Sequence, residues 1–458
     1  MPDFKVNLVA ALQGTAGQDY SFEDSAVYGA LGCFEEKSAL ELFEKDRTEL
    51  APEKREQKRE RMFRETAGRG HGAVTDQSCF TFVLEDVPRL VTLQLCAPQY
   101  LMHLQQSLRR AKADRGFYLP EIIKNSEFFT EVKTLLEATF VLYEEMSAED
   151  PVTKKNIIQG EDARFILPLY TKTNIQTTGD AREFFHLHQM SRGPEMPTII
   201  REVVEEIVHQ LKQVAPLLFK DRGTNYEVLA WYPSSQLFAR ENLTLQKLIQ
   251  AQQSKEEVIL LNASGLQLSA EGVKRAIEER REEELANLKH LHYTFLTKMS
   301  LACFHQATRQ RTWDQSVESI YAAARRGEFV TPPSILKNEK YKILYEELNQ
   351  KILKLYEKLI GNGIPEQEAI GILPHALVVY DLIHVNGWNA IHSIGKRTCT
   401  TAQWEIRAIA NQMAESIRKH DPVFGQYVQP QGIVYGKCPE RENCGYCEAF
   451  LKKKQNEK

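Results

Sequence analysis

Two pairs of polar residues with the same spacing are the first feature of this chain that suggests chemistry. Gln94 precedes Ser107 by thirteen residues, and Gln306 precedes Ser319 by the same interval. The second pair follows the first at a distance of 212 positions. Because fixed hydroxyl donors and guanidinium groups typically hold bound anions, the serines and the arginines near them are candidates for an anion site.

Several short elements repeat at nearly the same distance. Each recurs 206 positions later: Leu167-Pro168 as Leu373-Pro374, Asp180 as Asn386, and Ile200-Arg201 as Ile406-Arg407. Matching intervals predict one fold unit that is duplicated within a single polypeptide. We therefore expect a first copy over residues 1–225 and a second copy over residues 226–458, with the junction in the polar segment from Lys220 to Ser254.

The composition is that of an ordinary soluble globular protein. Of the 458 residues, 42% are hydrophobic and 26% are charged, a typical balance. A chain of this length is expected to form two or three domains, and two copies of roughly 225 residues fit that number. The net charge of −4 argues against wholesale binding of nucleic acid, although a local basic pocket is compatible with it.

The expected location of the protein is the cytoplasm. No apolar run in the sequence is long enough to cross a bilayer. The segment from Met1 to Ala11 carries two early charges and lacks the long apolar stretch of a secretory signal. Five of the eight cysteines are isolated in the sequence, which favours buried or reduced thiols over a disulfide framework.

The hydrophobic pattern predicts helices and a few strands in each copy. Short apolar runs predict strands at Val6–Ala11 and Val258–Ala263. Apolar residues at helical spacing predict buried helix faces between Phe128 and Tyr143, and between Leu344 and Leu359. Further helices are expected over Glu202–Leu218 and, in the second copy, from about Gln403 to Ile417; the charged segment Lys45–Arg64 is interpreted as a solvated helix or loop. Together these elements predict an α+β protein made of two helix-rich units.

Four segments in a fixed order carry a family resemblance. The first copy contains Gly70-His71-Gly72-Ala73-Val74 and, later, Glu161-Asp162-Ala163-Arg164-Phe165-Ile166-Leu167-Pro168. The second copy contains His305-Gln306-Ala307-Thr308-Arg309-Gln310-Arg311 and, after Arg397, Ala402-Gln403-Trp404-Glu405-Ile406-Arg407. They resemble the G-H-x-S-V, E-D-A-R-x-x-L-P, H-Q-L-V-R-H-R and R-x-x-x-x-A-Q-W-E-I-R segments of the flavin-dependent thymidylate synthases. The resemblance covers nearly the whole chain, with one set of related segments in each half.

The resemblance implies a fold and a reaction. It implies two tandem copies of a helix-rich fold with small antiparallel sheets, and a body of four such units. Members of the family bind FAD, dUMP, a methylene-tetrahydrofolate and NADPH in turn; the reduced flavin supplies a hydride, and the folate carbon becomes the thymine methyl group. Since one fused chain would replace a dimer, we expect a homodimer of chains that mimics the family's tetramer. Small molecules are the expected partners, with no nucleic acid and no membrane.

The resemblance also assigns site residues, which are divided between the copies. The first copy keeps the positions that would hold the nucleotide phosphate: Gln105, Ser107, Arg109 and Arg164. The second copy keeps Gln306 and Arg309 to orient the nucleotide, and Arg397 to polarise the uracil as the catalytic residue. Arg309, Gln310, Arg311 and Asn386 would face the flavin, together with His71 of the first copy.

The losses in the two copies are reciprocal. In the first copy, Ala97, Pro98 and Gln99 stand at the R-H-R positions, and Ser191 stands at the later arginine position. In the second copy, Tyr321 and Ile370 replace the two arginines of the phosphate side. Neither half can therefore build a complete site with a copy of itself. Our hypothesis is one composite site per chain that takes residues from both halves, and one site that has lost its cations.

Two alternatives remain open at this stage. Gln310 replaces the histidine of R-H-R, and the glycine-histidine segment is altered in both copies, where His71 and His290 survive. These changes favour a nucleotide-binding protein without methyl transfer. A third interpretation keeps flavin and folate but changes the acceptor to another pyrimidine.

The C-terminal segment contains three further cysteines. Cys438, Cys444 and Cys447 have C-x5-C-x2-C spacing. A structural zinc site needs four ligands, and no fourth cysteine or histidine lies close in sequence. We therefore expect no metal, with a structural metal as the alternative.

Overall fold

The computed structural model describes residues 3–11, 20–69, 71–220, 233–252, 256–441 and 444–456. Gly70 of the glycine-histidine segment and the expected boundary between residues 225 and 226 lie outside these residues. Within them, the chain forms two compact units. The first comprises Met1–Ala239 and Lys337–Pro374, and the second comprises Arg240–Leu336 and His375–Lys458. A segment of the second sequence copy thus belongs to the first compact unit; the copy boundaries themselves stay a prediction.

Each unit contains a four-stranded antiparallel sheet. In the first unit the strands are β1 (Lys5–Ala11), β2 (Cys79–Pro88), β3 (Met102–Gln105) and β4 (Lys172–Asp180), in the order β1-β2-β4-β3. In the second unit they are β5 (Val258–Gly265), β6 (Leu291–Ser300), β7 (Asp314–Val317) and β8 (Val378–Asn386), in the order β5-β6-β8-β7. Corresponding strands β2 and β6 start 212 positions apart, and β4 and β8 start 206 apart. The sheets therefore repeat with the intervals seen in the sequence.

The first unit is rich in helices. They are Phe22–Leu31, Ala39–Glu49, Pro52–Glu65, Arg89–Leu95, Glu121–Lys124, Phe129–Ser147, Gly160–Ala163, Ala181–Met190, Thr198–Val214, Glu339–Gly361 and Glu366–Ala369, with 3-10 turns at Ala67–Arg69, Gly72–Gln77, Arg164–Ile166 and Ile370–Ile372. The long helices expected at Phe128–Tyr143 and Leu344–Leu359 are confirmed and pack side by side, with Lys358 paired to Glu131 at 2.6 Å. The charged segment Lys45–Arg64 lies in two helices, Ala39–Glu49 and Pro52–Glu65, and the second of them buries Phe63 completely.

The second unit is also rich in helices. Its helices are Leu243–Ala251, Ala270–Ile277, Glu282–Leu285, Leu301–Ala307, Ile320–Arg326, Pro333–Leu336, Gly387–Asn389, Gly395–Arg397, Trp404–His420, Pro422–Gly425, Gln431–Val434 and Tyr446–Asn456, with a 3-10 turn at Ala286–His290 and a π-helical turn at Ala390–Ile394. The predicted α+β class with small antiparallel sheets is confirmed. Among the described helices, none has both the length and the apolar composition required to span a membrane.

The two Leu-Pro elements pair with each other inside the first unit. Pro168 forms an antiparallel bridge with its own counterpart, Pro374. The Leu169 amide donates to the Leu373 carbonyl at 2.9 Å, and the Tyr170 amide donates to the Gly371 carbonyl at 2.8 Å. The buried Tyr170 hydroxyl donates to the Glu368 carbonyl at 2.6 Å. This pairing explains why Lys337–Pro374 belongs to the first unit.

The first prediction concerns Gly371, where the Tyr170 ring leaves no room for a side chain. A Cβ atom at this position would lie 2.2 Å from two ring carbons. We expect Gly371→Ala to lower the free energy of unfolding by about 1–3 kcal/mol, since overpacking a rigid core forces neighbours to move. Denaturant titration would measure the change.

Gly361 provides a matched control in the same unit. A Cβ atom there would meet nothing within 4 Å, so Gly361→Ala should leave stability unchanged or raise it by about 0.5–1 kcal/mol. Equal destabilisation by both substitutions would contradict the proposed packing at Gly371.

A buried carboxyl group lies in the second sheet. Asp381 on β8 is fully buried, and burial raises its pKa to about 7. One carboxylate oxygen accepts a hydrogen bond from Gln315 on β7 at 2.6 Å, and the other has no hydrogen-bond partner among the described residues. The first copy has Ile175 at the corresponding position, so this acid is not part of the shared apolar pattern.

The second prediction follows from this pKa. Between pH values of about 4 and 7 the unfolded chain loses the Asp381 proton while the folded chain keeps it. The free energy of unfolding should therefore fall as the pH rises through this window, by roughly 4 kcal/mol at most. Asp381→Asn should remove that slope, because the amide does not titrate. Denaturant midpoints measured at several pH values would test this; parallel pH profiles for the two proteins would contradict it.

Candidate functional site

The residues expected on the phosphate side lie close together in the first unit. Directly after β3, Ser107 accepts a hydrogen bond from the Arg109 amide at 3.2 Å. The Arg109 side chain pairs with the Glu161 carboxylate at 2.7 Å. Arg164 donates to the Glu161 backbone carbonyl at 3.0 Å. The structure thus brings Ser107, Arg109 and Arg164 together around Glu161, as a group that could hold a dianion.

These side chains differ in their exposure. Ser107 and Arg109 are exposed, whereas Arg164 is buried at the start of a 3-10 turn, with its guanidinium 5.9 Å from the centre of the Phe165 ring. Gln105 points elsewhere and donates to the Thr92 hydroxyl at 2.8 Å. Because an exposed ion pair contributes little stability, Arg109 can exchange the Glu161 carboxylate for another anion at small cost.

The residues expected on the base side lie in the second unit, around two glutamines. Gln306 is near the end of the Leu301–Ala307 helix and donates to the Gln403 side-chain oxygen at 3.4 Å. That oxygen also caps the Trp404–His420 helix, since it accepts from the Glu405 amide at 3.0 Å and the Ile406 amide at 3.3 Å. The Gln403 side-chain nitrogen is fully buried, and no described residue accepts its hydrogen bond. A buried donor in this condition is suited to a polar ligand atom.

Arg397 is held by Gln310. With the Gln310 amide in the orientation that satisfies both groups, its oxygen accepts from Arg397 Nε at 2.9 Å and from Nη2 at 2.6 Å. The arginine is half-buried and ends a helical turn that follows the π-helical residues Ala390–Ile394. π-helical turns often occur at functional sites. Sequence reasoning assigned Gln310 to the flavin and missed this contact, for which residue spacing gives no signal.

The remaining residues expected on the flavin side lie on loops or at the starts of helical segments. Arg309 and Arg311 are exposed on the loop after the Leu301–Ala307 helix. The Asn386 side chain is used as a helix cap and accepts from the Asn389 amide at 2.9 Å. His71 is exposed at the start of the 3-10 segment Gly72–Gln77 and makes no capping hydrogen bond with its side chain. Of this group, the two arginines are the residues most suited to an anionic cofactor.

In the first copy, the positions that correspond to Gln306 and Arg397 are buried. Gln94, the counterpart of Gln306, is buried and donates to the buried Ser191 hydroxyl at 3.3 Å. Ser191 occupies the position that corresponds to Arg397. The Gln94 amide is thus bonded to a serine hydroxyl at the position where the other copy has a cation.

In the second copy, the positions that correspond to Ser107, Arg109 and Arg164 are buried as well. Ser319, Tyr321 and Ile370 are all buried. Next to Ser319, the buried Glu318 pairs with Arg326 at 2.5 Å and accepts from the Tyr380 amide at 3.1 Å. This internal ion pair was not anticipated, because sequence spacing alone does not show that Arg326 turns back toward Glu318.

Comparisons with known proteins agree with the duplicated pattern. The family described as "Thymidylate synthase complementing protein" matches this chain twice, over residues 20–217 and 245–423. A flavin-dependent thymidylate synthase from Geobacter sulfurreducens is 32% identical over 157 residues, covering 33% of this chain and 67% of the relative. One from Sulfurisphaera tokodaii is 34% identical over 152 residues, covering 32% of this chain and 58% of the relative.

A solved structure shows a more distant similarity. It is that of a UMP/dUMP methylase, PolB from Streptomyces cacaoi, bound with 5-Br dUMP. The identity is 16%, the TM-score is 0.38, and the match covers 48% of this chain and 94% of that chain.

The two family matches together span most of the chain, in two consecutive blocks. The chain therefore belongs to the thymidylate synthase complementing protein family. The expectation of an internally duplicated member, and of an enzyme of this family, is confirmed.

The third prediction concerns the contact between Gln310 and Arg397. Gln310→Ala removes the acceptor of two hydrogen bonds from a charged group, which typically costs about 1.5–3 kcal/mol. Calorimetric titration with dUMP, the nucleotide expected from the sequence, should then show roughly tenfold weaker binding or worse. Thr312→Ala is the matched control, because Thr312 is exposed on the same loop. Unchanged affinity in Gln310→Ala would show that the contact does not position Arg397 for the ligand.

Proposed function

We propose that this protein catalyses the FAD-dependent reductive methylation of dUMP to dTMP with methylene-tetrahydrofolate and NADPH, at one composite site built from residues of both copies. The observation that carries the proposal is a difference in exposure. Ser107, Arg109, Arg309 and Arg311 are exposed and Gln306, Gln310 and Arg397 are half-buried, whereas Gln94, Ser191, Ser319, Tyr321 and Ile370 are buried. Apart from the buried Arg164, the residues retained for the site are thus accessible, whereas these counterparts are buried.

In this proposal, the nucleotide phosphate is held by the group around Glu161. The phosphate replaces the Glu161 carboxylate as the partner of Arg109, while the Ser107 hydroxyl and the Arg164 guanidinium add further donors. Guanidinium groups suit this role because their donors match phosphate oxygens in pairs. Gln105 lies two residues before Ser107, but its side chain is bonded to the Thr92 hydroxyl and not to this group.

The uracil ring is proposed to lie against the second copy's residues. Arg397 places a positive charge next to a carbonyl oxygen of the ring, which stabilises the negative charge that develops there when the ring is attacked. Gln306 and Arg309 orient the base. The Gln403 side chain lies beside Gln306, and its amide nitrogen, for which no described residue is an acceptor, donates to the base in this proposal.

The residues present fit a bound FAD in part. Arg309 and Arg311 offer exposed positive charge for its phosphates, and His71 is accessible on the first copy. Gln310 and Asn386 already use their side-chain oxygens within the protein, so they could offer only their amide nitrogens. When bound, the reduced flavin would supply the hydride that completes the methyl group.

We further propose that two chains associate and that the protein is cytoplasmic. Two duplicated chains would provide the four fold units that the family resemblance implies. None of the eight cysteines forms a disulfide in the structure, which fits a reducing compartment.

A second candidate function is nucleotide binding without methyl transfer. The observation that favours it is the engagement of Gln310 by Arg397, at the position where the family resemblance expects a histidine. The absorption spectrum of the purified protein separates the two candidates. Bound flavin, or flavin taken up on titration, supports methyl transfer, whereas a protein that cannot take up FAD favours the binding role.

The fourth prediction compares equivalent positions in the two copies. Arg397→Ala should lose about 2–4 kcal/mol of transition-state stabilisation, which corresponds to a roughly 30- to 1,000-fold slower reaction. Ser191→Ala removes a buried hydrogen bond to Gln94; it should cost about 1 kcal/mol of stability but leave turnover near that of the parent. The measurement is the rate of dTMP formation, together with thermal unfolding of both variants.

Two results would count against the composite site. Equal loss of activity in Arg397→Ala and Ser191→Ala would mean that both copies contribute the same kind of residue. Full activity in Arg109→Ala, with dUMP affinity unchanged, would remove the first copy from the phosphate site.

A further inference from the structure

The C-terminal cysteines have a fourth partner that is distant in sequence. The Cys444 sulfur lies 3.0 Å from the Thr400 hydroxyl. Thr400 directly follows Cys399, so this contact brings the tail to within one residue of a fourth thiol. The sequence alone offered three thiols and no nearby fourth ligand.

The other two tail cysteines meet at a glycine. A Cβ atom on Gly432, in the Gln431–Val434 helix, would lie 2.7 Å from the Cys447 sulfur and 3.0 Å from the Cys438 Cα atom. Both cysteines therefore pack against the same small residue. Cys447 is buried, and a larger side chain at position 432 would push it away from Cys438.

The C-x2-C spacing joins these two contacts. Cys444 and Cys447 are only three residues apart, at the start of the Tyr446–Asn456 helix. Cys438, Cys444 and Cys447 thus share one region with Cys399, although the chain separates Cys399 from Cys438 by 39 positions.

We infer that Cys399, Cys438, Cys444 and Cys447 form a tetrathiolate site for a structural zinc ion. Zinc favours four-coordinate cysteine sites, and a C-x2-C pair with two further cysteines is a common ligand pattern. In the described part of the chain, no three histidine, cysteine or acidic side chains are already arranged to hold a metal. The four thiols lie in one region but do not yet have the geometry of a metal site, so a bound ion would have to draw them together. Binding releases the thiol protons to solvent, because thiolates are the ligands.

Such a site would fasten the tail to the loop that carries Arg397. Cys399 is two residues after Arg397. The same loop is held from the other side by Arg407, which donates to the Thr400 carbonyl at 2.8 Å. Zinc would therefore limit the movement of Arg397, and its role for the reaction is positioning. The metal site itself does not depend on the proposed function.

The decisive experiment measures metal in the full-length protein, purified under reducing conditions without added chelator. We expect about one zinc ion per chain by elemental analysis. Replacement by cobalt should give the visible absorption bands of tetrahedral cobalt thiolate. Cys399→Ser and Cys444→Ser should each lose most of the metal and lower the thermal midpoint. Cys33→Ser is the matched control and should keep both, because Cys33 is an exposed cysteine of the first unit.

Three results would overturn the inference. The first is protein without zinc that also binds no cobalt on titration. The second is zinc content that falls equally in Cys33→Ser and Cys444→Ser. The third is a disulfide between two of the four cysteines, detected by mass spectrometry under the same reducing conditions. Cys444 and Cys399 decide the test because they are at least partly exposed, so their replacement should not prevent folding as a change at buried Cys447 could. Metal content is read without turnover, so failure here is distinct from failure of the proposed methylation.

Discussion

The antiparallel pairing of two equivalent Leu-Pro elements is the constraint from which the asymmetry of this chain follows. In the first unit, the Leu169 and Tyr170 amides bind the carbonyls of Leu373 and Gly371, and Tyr170 covers Gly371 closely. The residue just before Gly371 is Ile370, and it is completely buried. A guanidinium group in that place would need a partner to offset its desolvation. Ile370 packs without needing a partner, whereas its buried counterpart Arg164 donates to the Glu161 carbonyl.

Duplication within one chain permits this division of roles. In an assembly of identical subunits, a position cannot be cationic in one copy and apolar in another. Here the buried positions are satisfied by internal partners: Gln94 bonds to Ser191, and next to Ser319 the buried Glu318 pairs with Arg326. Since buried charges and polar groups are costly unless they are paired, these replacements are what a buried, ligand-free location favours. Arg109, Arg309 and Arg311, by contrast, are exposed arginines that a ligand can reach.

The sequence indicated several of the helices and strands, but few of the contacts between residues that are distant in the chain. The repeat intervals of 212 and 206 reappear as the offsets between corresponding strands, because insertions within a copy do not disturb a conserved sheet order. The sequence did not predict that Lys337–Pro374, a segment of the second copy, belongs to the first compact unit. This membership depends on how helix faces pack and not on where helices occur. The same limit applies to Gln310 with Arg397 and to Cys399 with the tail. In each pair the partners are far apart in sequence, and neither pattern nor spacing indicates that they meet.

The choice of an amide at position 310 has a physical consequence for the candidate site. An imidazole in contact with Arg397 would offer a single acceptor nitrogen, and if it were protonated it would repel the guanidinium. A carboxylate would pair with the guanidinium and neutralise the charge that a bound carbonyl needs. The Gln310 amide oxygen accepts two hydrogen bonds from Arg397 without titrating and without cancelling its charge. The substitution of the expected histidine thus preserves a cation of fixed orientation, which is the property that a base-polarising arginine requires.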